Sequence, residues 1–201
     1  MVTTAANPAR TLPAFRNEPY LDFSKPENRK SAAEALALVR SRFGATYPLR
    51  VAGREARTGD LLKSVNPSQP SEVVGYHEKA TAALAREAVE SAYAFFPEWS
   101  ATPAADRVSM LFRAGEILRR RKLEFDAWLV LEAGKTWFEA EADVSEAIDF
   151  CEYYGRQMLK LAEPVEVVQL SGERDQMVYL PLGVGIVIPP WNFPLAILVG
   201  M

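Results

Sequence analysis

Five stretches of the chain place apolar residues three or four positions apart, the spacing that predicts amphipathic α-helices. Ser24-Lys25-Pro26-Glu27 has the form of a capping box with a proline in the first turn, so we expect a helix from there to a stop at Gly44. The other helices are predicted over residues 82–99, from a Thr102-Pro103 cap through Leu118, over 123–133, and from a Thr136 cap to about Leu161.

Shorter apolar or alternating runs predict strands over residues 47–52, 61–65 and 73–76. After Pro164 two alternating runs, 165–170 and 176–180, flank a Ser171-Gly172-Glu173 turn and predict a β-hairpin. Residues 183–188 predict a buried strand. Strands and helices along one chain favour an α/β fold.

The last 22 residues, Leu180 to Met201, contain one polar side chain, Asn192. Their length and hydropathy are compatible with a membrane-spanning helix. However, the adjacent prolines Pro189 and Pro190 would break such a helix at its centre, so a strand, a proline-rich turn and a new helix from Pro194 fit better. That new helix has no polar residue or cap at its end, and its apolar residues need a partner layer. We therefore expect the α/β unit to be incomplete.

Composition narrows the classes of function. The formal net charge is −3, which argues against a nucleic-acid partner, and the single His and single Cys argue against a structural metal site. One cysteine permits no internal disulfide, and the first 15 residues lack the pattern of a secretory signal, so we expect a cytoplasmic protein. Cys151 shares an apolar helical stripe with Val144 and Ile148, which favours a buried core cysteine over a nucleophile.

The candidate chemistry lies in Pro189-Pro190-Trp191-Asn192-Phe193-Pro194. A strand that ends in a stiff proline turn would deliver the amide of Asn192 to a sheet edge, where ligands bind in doubly wound folds. A neutral amide with two donor hydrogens suits the stabilisation of an oxyanion. The alternative is that Asn192 only satisfies carbonyl groups of its own turn.

The stretch from Leu182 to Leu195 resembles the aldehyde dehydrogenase motif PLGVxxxIxPWNFPL. Phe15-Arg16-Asn17-Glu18-Pro19, Asn66-Pro67-Ser68 and Glu146-Ala147-Ile148-Asp149-Phe150 resemble, more narrowly, the Δ1-pyrroline-5-carboxylate (L-glutamate γ-semialdehyde) dehydrogenase group. The resemblance implies an incomplete N-terminal part of a doubly wound, Rossmann-like NAD-binding domain. Residues 1–44 would form an arm and helix, 45–161 and 181–201 parts of that domain, and 162–180 a hairpin of an oligomerisation flap.

The same resemblance implies NAD as cofactor, an aldehyde as the small-molecule substrate and a role in proline catabolism. Asn192 matches the oxyanion-hole asparagine, Phe193 a substrate-pocket aromatic, and Ile188, Pro189, Pro190 and Trp191 the segment along the cofactor. Pro189 departs from the family pattern because it lacks an N–H. Glu146 matches a carboxylate near the substrate, with a solvated helical glutamate as the alternative.

The resemblance places the catalytic cysteine and the general-base glutamate beyond Met201, so we expect the 201 residues alone to be inactive. It further implies a homo-oligomer that associates through the 162–180 hairpin. Two other interpretations stay open: a different aldehyde dehydrogenase subfamily, and a non-catalytic interaction module that uses the apolar C-terminal segment.

Overall fold

A computed structural model describes residues 12–201, so the part of the predicted arm before Leu12 lies outside the described residues. The elements in chain order are α1 (Pro26–Arg40), β1 (Ala45–Tyr47), β2 (Leu49–Val51), β3 (Arg54–Ala56), β4 (Leu61–Val65), β5 (Val73–Glu78), α2 (Ala82–Ala101), α3 (Ala104–Arg120), α4 (Lys122–Ala133), α5 (Trp137–Leu161) and α6 (Ala196–Gly200).

Local capping signals set the ends of the two central helices, as predicted. Gly134 closes α4 in the left-handed conformation, with φ at +69°. At the start of α5, Glu139 donates its backbone N–H to the Thr136 hydroxyl (3.3 Å), and Thr136 donates its own N–H to the Glu139 carboxylate (3.1 Å). This reciprocal capping box fixes the start of the helix that carries most of the core.

Two predicted caps are wrong. The N-cap of helix α1 is Lys25, one residue after the predicted N-cap Ser24. The Ser24 N–H donates to the Asp22 carboxylate rather than to Glu27, as a capping box would require. Thr102 does not cap α3, because Pro103 occupies the N-cap position without a side-chain cap bond. The Thr102 hydroxyl instead donates to the Glu98 carbonyl at the end of α2 (3.0 Å).

The strands form two small sheets. β5 lies between β1, to which it is parallel, and β4, to which it is antiparallel. β2 and β3 form an antiparallel hairpin around Ala52 and Gly53, both at positive φ. The predicted strand over 47–52 is therefore two strands in different sheets, divided at Pro48, which cannot donate to a ladder.

The core surrounds α5, which packs against α3, α4 and α6. Its buried residues Val144, Ile148 and Cys151 are at most 2% exposed, which confirms Cys151 as a core residue. Close approach of α3 depends on Gly155, because a Cβ there would lie 2.5 Å from the Phe112 ring. The helical body, which we define as α1, α3, α4 and α5, thus has an apolar interior of two clusters, one around α5 and one where Val39 of α1 meets α4.

The described part of the N-terminal arm lies across this body. Leu21 donates its N–H to the Glu141 carboxylate (2.9 Å), and Glu18 donates its N–H to Asp149 (2.7 Å). Lys122 donates to the Pro19 carbonyl (2.9 Å). Charged side chains of the body therefore satisfy the backbone of an arm that has no regular structure of its own.

The strands predicted after Pro164 are not formed. Residues 165–188, the C-terminal segment, form no helix or strand and are exposed apart from half-buried Val167 and Asp175. Gly172 makes the predicted turn, at φ +87°, but no strand ladder follows it. The predicted buried strand is equally absent, since Ile186 is 74% and Ile188 80% exposed. A strand needs a paired neighbour to satisfy its backbone, and a lone hairpin is marginal in water.

Within residues 12–201, none of the helices combines the length and the apolar character that a membrane crossing requires. The same residues bring together no group of three or more His, Cys, Asp or Glu side chains that could hold a metal ion.

Candidate active site

The proline-rich motif lies at the boundary between the exposed C-terminal segment and the body. Ile188 and Trp191 are 80% and 87% exposed, Pro190 is exposed and Pro189 is half-buried. From Phe193 onward the chain turns inward, and Ala196, the first residue of α6, is fully buried. The motif therefore has an exposed half, residues 188–192, and an anchored half, from Phe193 to Ala196, which packs against the body.

Asn192 lies at this transition and is exposed. Among the hydrogen bonds of the described residues, none uses its side-chain amide, so the turn holds its shape without that group. An asparagine that only stabilised its turn would donate to or accept from nearby backbone. Both amide hydrogens are instead available to an external acceptor, as an oxyanion donor requires.

Phe193 packs inward. Its ring is half-buried against the core cluster around α5, and the Lys135 ammonium group lies 4.0 Å from the ring centroid. This cation–π geometry ties the residue that follows Asn192 to the turn between α4 and α5. The ring contributes to the anchored half of the motif, and its contact with a substrate stays a prediction.

Glu146 lies on the face of α5 that meets α6. Three residues before it, Asp143 accepts the Ala196 N–H, and four residues after it, Phe150 lies beside Gly200. Residues at these spacings share one helix face. Glu146 is half-buried and has no ion-pair or hydrogen-bond partner among the described residues, so its carboxylate is not committed to a structural contact.

Sequence reasoning missed Asp143 and Lys135. The Asp143 carboxylate is fully buried, accepts the Ala196 N–H at 2.7 Å, and lies 2.8 Å from the Lys135 ammonium group. A signal was present, because Asp143 occupies the same helical stripe as buried Ala140 and Ala147. A carboxylate on a buried stripe requires a partner.

A second buried ion pair joins the start of α4 to α5. Lys122 pairs with Glu141, and the Asp126 carboxyl lies beside them. Burial, together with the neighbouring Glu141 and Asp143 carboxyl groups, raises the pKa of Asp126 to about 8 against the opposing effect of Lys122. Asp126 therefore carries a proton at neutral pH, which leaves two carboxylates, Glu141 and Asp143, for the two lysines.

An apolar cavity of about 660 Å³ opens beside the motif. Trp191, Pro194 and Leu195 form one wall, and Phe125, Trp128 and Leu129 of α4 form the other. Its only charged lining residue is Glu132. The exposed half of the motif thus borders an apolar space.

The segment from Ile188 to Trp191 could contact a ring of a dinucleotide but not bind its phosphates. Its two prolines offer no N–H groups, so it presents carbonyls and apolar side chains, which suit contact with a ring. Phosphates are bound by glycine-rich turns at helix N-termini. The described residues 12–201 show no such turn followed by a helix in this segment.

Comparison with known proteins identifies the family of the chain. The profile of the aldehyde dehydrogenase family matches residues 54–201. The chain belongs to the aldehyde dehydrogenase family. Its mixed α/β structure matches the N-terminal part of a family member, in agreement with the fold class expected from the sequence.

Within the family, several of the matched proteins are 1-pyrroline-5-carboxylate dehydrogenases. That of Geobacillus kaustophilus is 50% identical over 186 residues, which are 92% of this chain and 36% of that protein. The structure of the Thermus enzyme with bound NAD is 49% identical, with a TM-score of 0.91, over 94% of this chain and 37% of that one. Proline utilization A from Bdellovibrio bacteriovorus is 38% identical, with a TM-score of 0.90, over 93% and 20%.

This aldehyde dehydrogenase chain therefore spans about a third of the length of the curated relatives that it matches. The family profile covers α3, α4 and α5 of the helical body, the C-terminal segment and the motif around Asn192.

Proposed function

We propose that this chain forms part of an NAD-dependent dehydrogenase that oxidises L-glutamate γ-semialdehyde to L-glutamate in proline catabolism, and that Asn192 stabilises the oxyanion of the reaction. The observation that supports this role most directly is the free amide of Asn192, which is exposed at a fixed turn and makes no hydrogen bond to the described residues.

The substrate class follows from similarity. About half of the residues are identical to 1-pyrroline-5-carboxylate dehydrogenases over 92% of the chain. Phe193 and Glu146, on either side of the α5–α6 contact, are the proposed substrate-binding residues.

NAD is the proposed cofactor, as in the Thermus relative. When bound, it accepts the hydride that leaves the aldehyde carbon. Ile188 to Trp191 would contact it through carbonyls and apolar surface.

The sole cysteine, Cys151, is buried, and burial raises the pKa of its thiol. The chain therefore offers no accessible thiolate, and we expect the 201 residues alone to show no NAD-dependent aldehyde oxidation.

The test is steady-state kinetics of Asn192→Ala and Asn192→Asp in an enzyme that contains this sequence together with its catalytic cysteine. Loss of an oxyanion donor lowers kcat about 10²–10³-fold. Asn192→Asp keeps the size of the side chain but removes both donors, so it should be at least as damaging. An unchanged kcat in both variants would contradict the role.

We also propose that the enzyme is a cytoplasmic homo-oligomer that associates through residues 162–180. Val168 is 82%, Val178 66% and Leu180 78% exposed, an apolar surface that a partner subunit would cover. Val168→Glu with Val178→Lys should lower the mass measured by light scattering, whereas Leu38→Glu, at an exposed apolar position on α1 outside this segment, should not. A constant mass in the double variant would contradict this interface.

A further inference from the structure

The anchored half of the motif depends on one buried ion pair. Asp143 on α5 is 0% exposed and Lys135, in the turn before α5, has a side chain that is 10% exposed. One Asp143 oxygen accepts the Ala196 N–H at 2.7 Å, and the other lies 2.8 Å from the Lys135 ammonium group. Burying both charges is costly unless each is well paired.

The two charged groups hold the first and last residues of the short stretch 193–196, which follows Asn192. Lys135 lies 4.0 Å from the centroid of the Phe193 ring, one residue after Asn192. Asp143 holds the N–H of Ala196, four residues after it. On the other side of Asn192, residues 183–190 form no strand and are exposed except for half-buried Pro189. The position of Asn192 is thus set from its C-terminal side.

We propose that Lys135 and Asp143 are positioning residues that clamp the Asn192 turn onto α5. The consequence for catalysis rests on the proposed oxyanion role of Asn192, whereas the clamp itself does not. An oxyanion donor must be held in place before the reaction, since residual freedom of the donor removes its advantage.

The chain contains a matched control. Lys122 and Glu141 form another ion pair between α4 and α5, with the same exposed fractions of 10% and 0%, two residues away on α5. Glu141 accepts the N–H of Leu21 in the arm rather than a group of the motif. Neutralising this pair perturbs the same helices without touching residues 193–196.

The clamp is tested by NMR on the 201-residue chain, which needs no enzyme activity. In Asp143→Asn and Lys135→Met we expect the backbone order parameter at Asn192 and Phe193 to fall below about 0.6. We expect exchange of the Ala196 amide to quicken about 10–100-fold, the range for loss of a hydrogen bond to a charged group. Lys135→Arg should retain the native values, and so should Glu141→Gln.

A variant that leaves one buried charge unpaired could unfold. The double variant Lys135→Met/Asp143→Leu removes both charges together, and such replacements often preserve stability. If it keeps the helical circular dichroism and retains native order at Asn192, the clamp is overturned. Loss of order in Glu141→Gln equal to that in Asp143→Asn would also overturn it, because the effect would then be general destabilisation.

Kinetics in the enzyme that contains this sequence separate the two proposals. If Asn192→Ala lowers kcat, Lys135→Met should lower kcat more than it raises KM, and Lys135→Arg should restore kcat. If Asn192→Ala leaves kcat unchanged, the oxyanion role fails, and the NMR result alone decides the clamp.

Discussion

The helical body and the C-terminal segment contain similar apolar residues but differ in structure. In the body, Val144 and Ile148 are fully buried, and a local capping box closes the start of α5. In the segment, residues of the same kind, Ile186 and Ile188, are largely exposed, and no ladder satisfies the backbone. A helix completes its hydrogen bonds within itself, whereas a strand depends on a neighbour that may lie far away in the sequence.

The largest difference in stability between variants of the two regions is expected at the buried charged residues of the body. Glu141→Leu leaves the buried Lys122 ammonium group with only the Pro19 carbonyl and the Glu18 carboxylate, 4.0 Å away, so it should reduce the free energy of unfolding by about 3 kcal/mol. Urea denaturation followed by circular dichroism measures this loss. Lys122→Met/Glu141→Leu should recover most of it, and Glu166→Leu in the exposed segment should change stability by less than about 0.5 kcal/mol. Equal losses for Glu141→Leu and Glu166→Leu would contradict the comparison.

A pH dependence of stability is expected from Asp126, which faces Glu141, Lys122 and Asp143. Its pKa is raised to about 8 in the folded chain, from an ordinary value near 4, so the folded state binds the proton more tightly. The stabilising contribution is complete below pH of about 4 and is lost as the pH rises through about 8. Asp126→Asn should flatten this decline in urea midpoints measured from pH 5 to 9.

The control for that titration is Glu166→Gln, a change of an exposed carboxylate in the C-terminal segment. It should leave the pH profile of the native chain unaltered. A native profile that does not fall between pH 5 and 9 would contradict the buried proton on Asp126.

The helical body is also packed more tightly than the C-terminal segment, so it should tolerate an added methyl group less well. Gly155→Ala places a Cβ 2.5 Å from the Phe112 ring, and such overpacking costs about 1–3 kcal/mol. Gly185→Ala in the C-terminal segment meets nothing within 4 Å, so its effect should stay within about 0.5 kcal/mol. Thermal unfolding of both variants checks the contrast, and an equally tolerated Gly155→Ala would show that α3 and α5 can separate.

The smallest effect concerns the cap of α5. Thr136→Ala removes the hydroxyl that accepts the Glu139 N–H and should lower stability by about 1 kcal/mol. Thr136→Ser keeps the hydroxyl and should be nearly neutral. A loss as large in the serine variant as in the alanine variant would mean that the methyl group, rather than the cap, is responsible.

The sequence indicates the candidate residues but not the contacts that surround them. Asn192, Phe193 and the proline turn come from a motif whose spacing is local, and their roles stay predictions. Glu146 was found from resemblance, and its place on the α6-facing side of α5 became visible only through Asp143 and Phe150. Lys135 and Asp143 were missed because their partners, Phe193 and Ala196, lie more than 50 residues away along the chain.

The sequence by itself determined the central helices, the end of α4 at Gly134, the capping box of α5 and the burial of Cys151, because each depends on neighbours within a few residues. Only the tertiary structure decided which of residues 165–188 are buried, how Pro48 divides two sheets, and which lysine neutralises Asp143. These outcomes depend on pairing and charge compensation between distant segments, whose energies a local pattern does not contain.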